Sequence, residues 1–276
     1  MLDITAAARH WQAANRAAVV VAVTSSRGSV PLEVGTRMLL AADAVLGTIG
    51  GGHLELQAIA DARALLHTGG APTEQRIALG PTLGQCCGGV LTLAFKALQQ
   101  EDLGTWAAPA PRFTLQLYGA GHVGRAIVRL LANIPCRVQW IDERDSEFPD
   151  ESLPPHIERV CVEPVEAEVA SAPPGAFYLV LTHSHSLDLA LTQAVLKRGD
   201  FGYFGLIGSR TKRARFEHRL QQRGFAPALV DRIVCPIGVP GITGKEPEVI
   251  ALAVVAQLLQ QAQQAQQSPA FTSAWG

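Results

Sequence analysis

The stretch Phe113-Thr114-Leu115-Gln116-Leu117-Tyr118-Gly119-Ala120-Gly121-His122-Val123-Gly124, with the run Arg137-Val138-Gln139-Trp140-Ile141-Asp142 that follows it, decides the fold of the C-terminal half. Phe113 to Leu117 is an apolar run of strand length. Gly119, Gly121 and Gly124 form G-x-G-x-x-G, and Val123 to about Asn133 repeats apolar residues at helical spacing. Arg137 to Ile141 reads as the next strand, closed by Asp142. Strand, glycine loop, helix, strand and acid in this order predict a dinucleotide-binding, Rossmann-type unit. The first glycine allows the tight turn, the second lets a pyrophosphate approach, and the third lets helix and strand pack. His122 and its neighbours open a helix whose free amides suit an anion, and Asp142 is placed to accept from ribose hydroxyls.

Working outward, three more strand-like runs end in polar residues. Phe177 to Leu181 leads into Thr182-His183-Ser184-His185-Ser186-Leu187-Asp188, Tyr203 to Ile207 into Gly208-Ser209-Arg210-Thr211-Lys212-Arg213, and Ile233-Val234 into Cys235-Pro236-Ile237-Gly238. In an open parallel sheet such ends converge on one crevice. Cations in the first turn of the helix after Gly208 oppose its dipole, so a bound anion beside Ser209, Arg210 and Lys212 would offset their cost. His183, His185 and Asp188 are open to three readings: a metal site, a polar ligand contact, or a helix entry capped by Ser184 or Ser186. Lys245, just before the long apolar helix Val249 to about Gln260, is either a surface lysine or an anion contact.

The first hundred residues predict a small α+β domain with a helix on one face of a mixed or antiparallel sheet. Its elements are a helix from Ile4 to Arg16, strands at Ala18 to Thr24, Arg37 to Ala41 and Ala44 to Ile49, a helix from Leu54 to His67, and strands at Gln75 to Leu79 and Val90 to Phe95. Gly50-Gly51-Gly52-His53-Leu54-Glu55 opens the second helix. Between the last two strands lies Gly84-Gln85-Cys86-Cys87-Gly88-Gly89, whose glycines would let two thiols reach a surface instead of a core. Inert buried thiols are the other reading of that pair. The expected division is domain 1–100, an extended proline-containing linker 101–111, a Rossmann-like domain 112–260 and a Gln-rich tail 261–276, giving an α/β protein with a doubly wound parallel sheet.

With 23 Lys and Arg against 24 Asp and Glu, the formal net charge of −1 points to neither nucleic acid nor an anionic membrane surface. No apolar run reaches the ~20 residues of a membrane span and no secretory leader is read, so a cytoplasmic protein is expected. Five cysteines without a C-x-x-C pair fit neither a disulfide framework nor structural zinc.

Six ordered segments carry a resemblance: Gly47 to Glu55, Leu83 to Gly89, Tyr118 to Gly124, Thr182 to Asp188, Gly205 to Lys212 and Cys235 to Gly238. Over about Ser25 to Leu259 the chain resembles the xanthine dehydrogenase accessory protein family, XdhC. The resemblance implies a molybdenum cofactor (molybdopterin) chaperone without turnover of its own. Such a protein supports cofactor sulfuration with a cysteine desulfurase, protects the product and inserts it into apo xanthine dehydrogenase, with cofactor biosynthesis proteins as further partners and a homodimer as the expected assembly. His53 departs from the many relatives that carry cysteine after the triple glycine, so no thiol role transfers to that position. Under this reading Cys86 or Cys87 is the sulfur-side contact and any molybdenum contact, no metal being held by the protein alone. The phosphate would lie at the Gly119 to Gly124 loop or at Ser209 to Arg213. Two other functions fit parts of the pattern: an NAD(P)-dependent oxidoreductase using the glycine loop and Asp142, and a metal-dependent hydrolase built on His183, His185 and Asp188.

Overall fold

The computed structural model describes residues 4–28, 30, 33–79, 89–106 and 110–267, and the chain divides into two units, Met1–Ala108 and Pro109–Gly276. In the first, strands β1 (Ala18–Arg27), β2 (Arg37–Ala41), β3 (Val45–Gly47), β4 (Thr73–Ala78) and β5 (Val90–Ala97) form an antiparallel sheet in the order β3-β2-β1-β5-β4. Helices α1 (Ile4–Ala13) and α2 (Gly52–Thr68) pack on opposite faces of it. Side chains alternate along a strand, so Val19, Val21 and Val23 meet Leu54, Ala58 and Ala62 of α2, while Ala18 and Val20 meet Ala8 and Trp11 of α1. The expected helix on one face is therefore a helix on each, and the unbroken apolar run of β1 is the reason. Leu103 and Trp106, inside the expected extended linker, are buried with α1, and the Trp106 indole donates to Glu101 Oε2 at 3.0 Å.

The second unit holds a six-stranded, all-parallel sheet of β6 (Thr114–Tyr118), β7 (Arg137–Asp142), β8 (Ile157–Cys161), β9 (Phe177–Val180), β10 (Tyr203–Leu206) and β11 (Ile233–Val234). Its order is β11-β10-β9-β6-β7-β8. The chain winds outward from β6 to β8, returns to the centre and winds the other way from β9 to β11, so the order reverses between β6 and β9. Helices α3 (His122–Leu131) and α7 (Pro247–Gln267) cover one face, against Leu115, Leu117, Val138 and Trp140. Helices α4 (His185–Arg198), α5 (Arg210–Gln222) and the short α6 (Pro227–Val230) cover the other, against Tyr118, Ile141, Tyr178, Val180 and Phe204. Strand β8 escapes the periodicity reading because Glu158 and Arg159 interrupt a five-residue edge strand. The expected Gln-rich tail from residue 261 is helical in its first part: α7 continues to Gln267, with Ala262 buried against the core.

Candidate functional site

The turn after β6 is set by close backbone approach. Gly119 has φ +120°, and a Cβ there would lie 2.3 Å from the Leu181 carbonyl oxygen. A Cβ on Gly124 would lie 2.1 Å from the Gly119 carbonyl oxygen, so the first and third glycines are packing requirements. A Cβ on Gly121 would meet nothing within 4 Å. His122 is exposed as the first residue of α3.

Asp142 sits beneath this loop and is 5% exposed. Its Oδ2 accepts from Ala120 N at 2.7 Å and Arg144 Nη2 at 2.9 Å, and its Oδ1 from Arg144 N at 2.9 Å and Arg144 Nε at 3.0 Å. Burial pushes the carboxyl up, but these bonds and the adjacent Arg144 guanidinium outweigh it and hold the group below the usual carboxylate range. Arg144 also faces Glu147, which Arg125 pairs at 2.7 Å. The space between β7 and β9 here is about 10 Å³, enclosed by Tyr118, Gly119, Asp142, Glu143, Thr182 and His183. His183 Nε2 stands 3.7 Å from Glu143 Oε1 beside it.

The open space lies on the other side of His183. A cleft of about 280 Å³ runs between the ends of β9 and β10, lined by Thr182, His183, His185, Asp188, Ile207, Gly208, Ser209 and Lys212. Helices α4 and α5 both begin here. Ser184 Oγ caps α4 by accepting from Leu187 N at 3.4 Å, and Ser209 Oγ caps α5 by accepting from Lys212 N at 3.2 Å. Asp188 is 1% exposed; its Oδ1 accepts from Thr182 N at 3.1 Å and Thr182 Oγ1 at 2.7 Å. Its Oδ2 accepts from Lys212 Nζ at 2.5 Å, and the same ammonium donates to the Ile207 carbonyl at 2.7 Å.

This geometry sorts the residues expected from the sequence. His183, His185, Asp188, Gly208, Ser209 and Lys212 line one cleft, but Asp188 faces Lys212 and Thr182, and among the described residues no three His, Cys, Asp or Glu side chains form a metal-holding group. The cations of α5 are not all uncompensated: Lys212 is paired with Asp188, and Arg213 with Glu217 and the Val230 and Ile233 carbonyls. Arg210 is exposed at the first residue of α5. Lys245 is exposed on the loop before α7 and is not among the residues lining the cleft. Cys235 is half-buried, with Sγ 3.9 Å from the Ser209 carbonyl; burial pushes its thiol up against the opposing pull of Lys212 and Arg213. Cys136 is buried and pushed up to about 11 by desolvation, which makes it a packing residue.

In the first unit, Gly50, Gly51 and Gly52 all have positive φ, at 99°, 73° and 68°. Glu55 holds this turn from within α2: its Oε2 accepts from Ile49 N at 2.9 Å, Gly51 N at 3.1 Å and the Thr48 hydroxyl. Burial pushes the Glu55 carboxyl up, but these three donors together outweigh it and hold the group below the usual carboxylate range. Glu55→Ala is expected to cost about 1 kcal/mol or more of stability at neutral pH, since each hydrogen bond to a charged group contributes on that order. The loss should shrink as pH falls through the lowered folded pKa, because the parent then surrenders the same contribution; urea unfolding at neutral and acid pH checks both. His53 is exposed on the first turn of α2. Gly89 is buried and its carbonyl accepts from Leu79 N, whereas Gly84, Gln85, Cys86, Cys87 and Gly88 lie outside the described residues.

Arg144 and Glu143 were not among the residues expected at the site, and Thr182 was read only as the start of a polar strand end. The acid-x-arginine spacing after β7 was the available signal for Arg144, because a guanidinium two residues on can fold back onto the carboxylate. Nothing local marks Glu143, whose partner His183 lies across the crevice, or the role of Thr182, whose partner Asp188 is on the next helix.

Residues 115–258 match the model of the XdhC Rossmann domain, and residues 11–76 match that of the XdhC and CoxI family. The chain belongs to the XdhC family. It is 28% identical over 250 residues to the uncharacterized protein YqeB of Escherichia coli (strain K12). That match covers 86% of this chain and 42% of the relative, so the chain spans less than half the relative's length. The fold is also that of a solved structure described as a xanthine dehydrogenase from Bacillus halodurans, with a TM-score of 0.72 at 18% identity, covering 97% of this chain and 98% of the other. For an XdhC chain, the second unit thus combines a glycine loop braced from within and an open cleft one strand away. No helix among the described residues is long and apolar enough to cross a membrane.

Proposed function

We propose that this XdhC chain is an accessory protein of xanthine dehydrogenase that carries the molybdenum cofactor, supports its sulfuration and hands it to the apoenzyme. The observation that carries the reading is the match of both units to XdhC models, joined to a polar cleft at the carboxyl ends of β9 and β10. A carrier needs to hold an anionic, oxygen-sensitive cargo without reacting with it. The cleft meets that need, because its buried carboxylate and ammonium neutralise each other while it presents hydroxyls, imidazoles and two helix N-termini. A cysteine desulfurase as sulfur source, contact with cofactor biosynthesis proteins, and a homodimer belong to the same proposal, with Cys86 or Cys87 as the sulfur-side residue. A nicotinamide oxidoreductase is the weaker reading, because Asp142 already accepts four hydrogen bonds from the chain itself.

Protein purified anaerobically from cells making molybdopterin is expected to retain it, measured as the fluorescent oxidised pterin after release. Removing the gene should leave xanthine dehydrogenase inactive and restorable by cofactor-loaded protein. Cys86→Ala or Cys87→Ala is expected to lower pterin retention or the yield of active enzyme at least tenfold. Protein free of pterin, together with fully active xanthine dehydrogenase in its absence, overturns the proposal.

A further inference from the structure

The glycine loop has the pattern of a dinucleotide site, yet the crevice beside it does not fit a dinucleotide. In a Rossmann unit the acid at the end of the second strand accepts from the ribose hydroxyls while the loop amides take the pyrophosphate. Asp142 holds that position, at the end of β7. A carboxylate offers about four lone-pair sites, and each is already used from within the chain. Oδ1 accepts from Arg144 N and Nε, and Oδ2 from Ala120 N and Arg144 Nη2. The guanidinium thus meets both carboxylate oxygens with a fork of two N–H groups, where a ribose would present two hydroxyls.

Arg144 is itself held in place. Its Nη1 lies 3.5 Å from Glu147 Oε1, and Glu147 accepts from Arg125 Nη2 at 2.7 Å through Oε2 and from Arg125 Nε at 2.9 Å through its backbone carbonyl. Arg125 lies in the first turn of α3, where its amide donates to the Gly121 carbonyl. A chain of charges, Asp142–Arg144–Glu147–Arg125, therefore joins the end of β7 to the start of α3, the two elements between which a nucleotide ribose lies in this fold. Toward β9, His183 Nε2 stands 3.7 Å from Glu143 Oε1. The space enclosed there is about 10 Å³, whereas an ordinary ligand pocket holds about 300 Å³ or more. The motif persists without a nucleotide because the fold needs it: a Cβ on Gly119 or Gly124 would lie 2.3 or 2.1 Å from a backbone oxygen.

The geometry points to Arg144 as a built-in ligand of this Rossmann unit: its guanidinium takes the place of a ribose on Asp142, closes the crevice to nucleotides, and so determines whether the glycine loop binds one. This does not rest on the carrier function proposed above, which is read from pterin retention and not from nucleotide binding.

Calorimetric titration of the full chain with NADH and NADPH tests the inference. NADPH is included because an arginine freed from Asp142 could pair with its 2′-phosphate. The parent is expected to bind both more weakly than about 100 μM. Arg144→Ala leaves Asp142 the amides of Ala120 and of residue 144 as partners, and should bind NADH at least tenfold more tightly than the parent. Arg144→Met, which removes the side-chain donors and keeps most of the stem, is the second variant and should show the same gain. Adding Asp142→Asn to Arg144→Ala exchanges one acceptor oxygen for a donor and should abolish the gain, a result that general loosening of the crevice would not give. Circular dichroism establishes which variants fold. Binding of either nucleotide by the parent more tightly than about 100 μM overturns the inference without recourse to any variant. So does a gain below tenfold in both folded Arg144 variants. A gain that persists with Asp142→Asn overturns Asp142 as the ribose acceptor that Arg144 occupies.

Discussion

Asp188→Ala is expected to destabilise the C-terminal unit by about 3–5 kcal/mol, the range for removing one partner of a buried ion pair. The substitution leaves the Thr182 amide without its acceptor and the Lys212 ammonium without its counter-charge, keeping for Lys212 only the Ile207 carbonyl and for the Thr182 hydroxyl only the Ser184 carbonyl. The ammonium cannot recover its hydration by moving outward, because its side chain is 10% exposed and its stem packs against the backbone at Gly208. Urea unfolding followed by tryptophan fluorescence measures the loss. Asp188→Asn with Lys212→Met removes both charges at similar volume and should recover most of it, to within about 1–2 kcal/mol of the parent. A single-variant cost under about 1 kcal/mol would mean that Lys212 reaches water when unpaired, and the pair would then not be a buried one.

The second large effect is expected at Gly119. Alanine there faces two penalties: φ of +120° lies where side chains are strained, and its Cβ would lie 2.3 Å from the Leu181 carbonyl oxygen. Neither can relax cheaply. The Leu181 amide is bonded to Tyr118 O at 2.9 Å, and the Gly119 carbonyl receives the Trp140 indole at 3.1 Å, so moving either chain breaks a buried hydrogen bond. Strain and overpacking together are expected to cost about 3–5 kcal/mol. Gly121→Ala, two residues on in the same motif, should change stability by no more than about 0.5 kcal/mol, since its Cβ meets nothing within 4 Å and its φ is −66°. Thermal unfolding of both variants separates the glycine that the fold requires from the one at which the fold leaves room for a side chain. Similar losses at the two positions would refute this division.

Much of the architecture is legible residue by residue. The run from Phe113 to Asp142 encodes strand, tight turn, helix and strand because each depends on local patterning: period two, positive φ, period 3.6. Strand β8 is not legible, since the polar side chains of an edge strand leave little pattern to read. Nor is the full length of α7, whose Gln/Ala turns are held by burial of Ala262. In the N-terminal unit, Leu103 and Trp106 look like connector but belong to the core, because prolines nearby mark a chain break more strongly than two isolated apolar residues mark packing.

By itself the sequence determined that a Rossmann unit follows a smaller α+β unit and that polar strand ends gather in one place. Family membership was already written in six ordered motifs. Only the tertiary structure decided which charges are free to act. Asp142 and Arg144, Asp188 and Lys212, and Arg213 and Glu217 neutralise one another across spacings of 2, 24 and 4 residues. Whether a carboxylate accepts from a ligand or from its own chain depends on distances of a few tenths of an ångström between groups on different elements. Packing sets such distances; local sequence pattern does not.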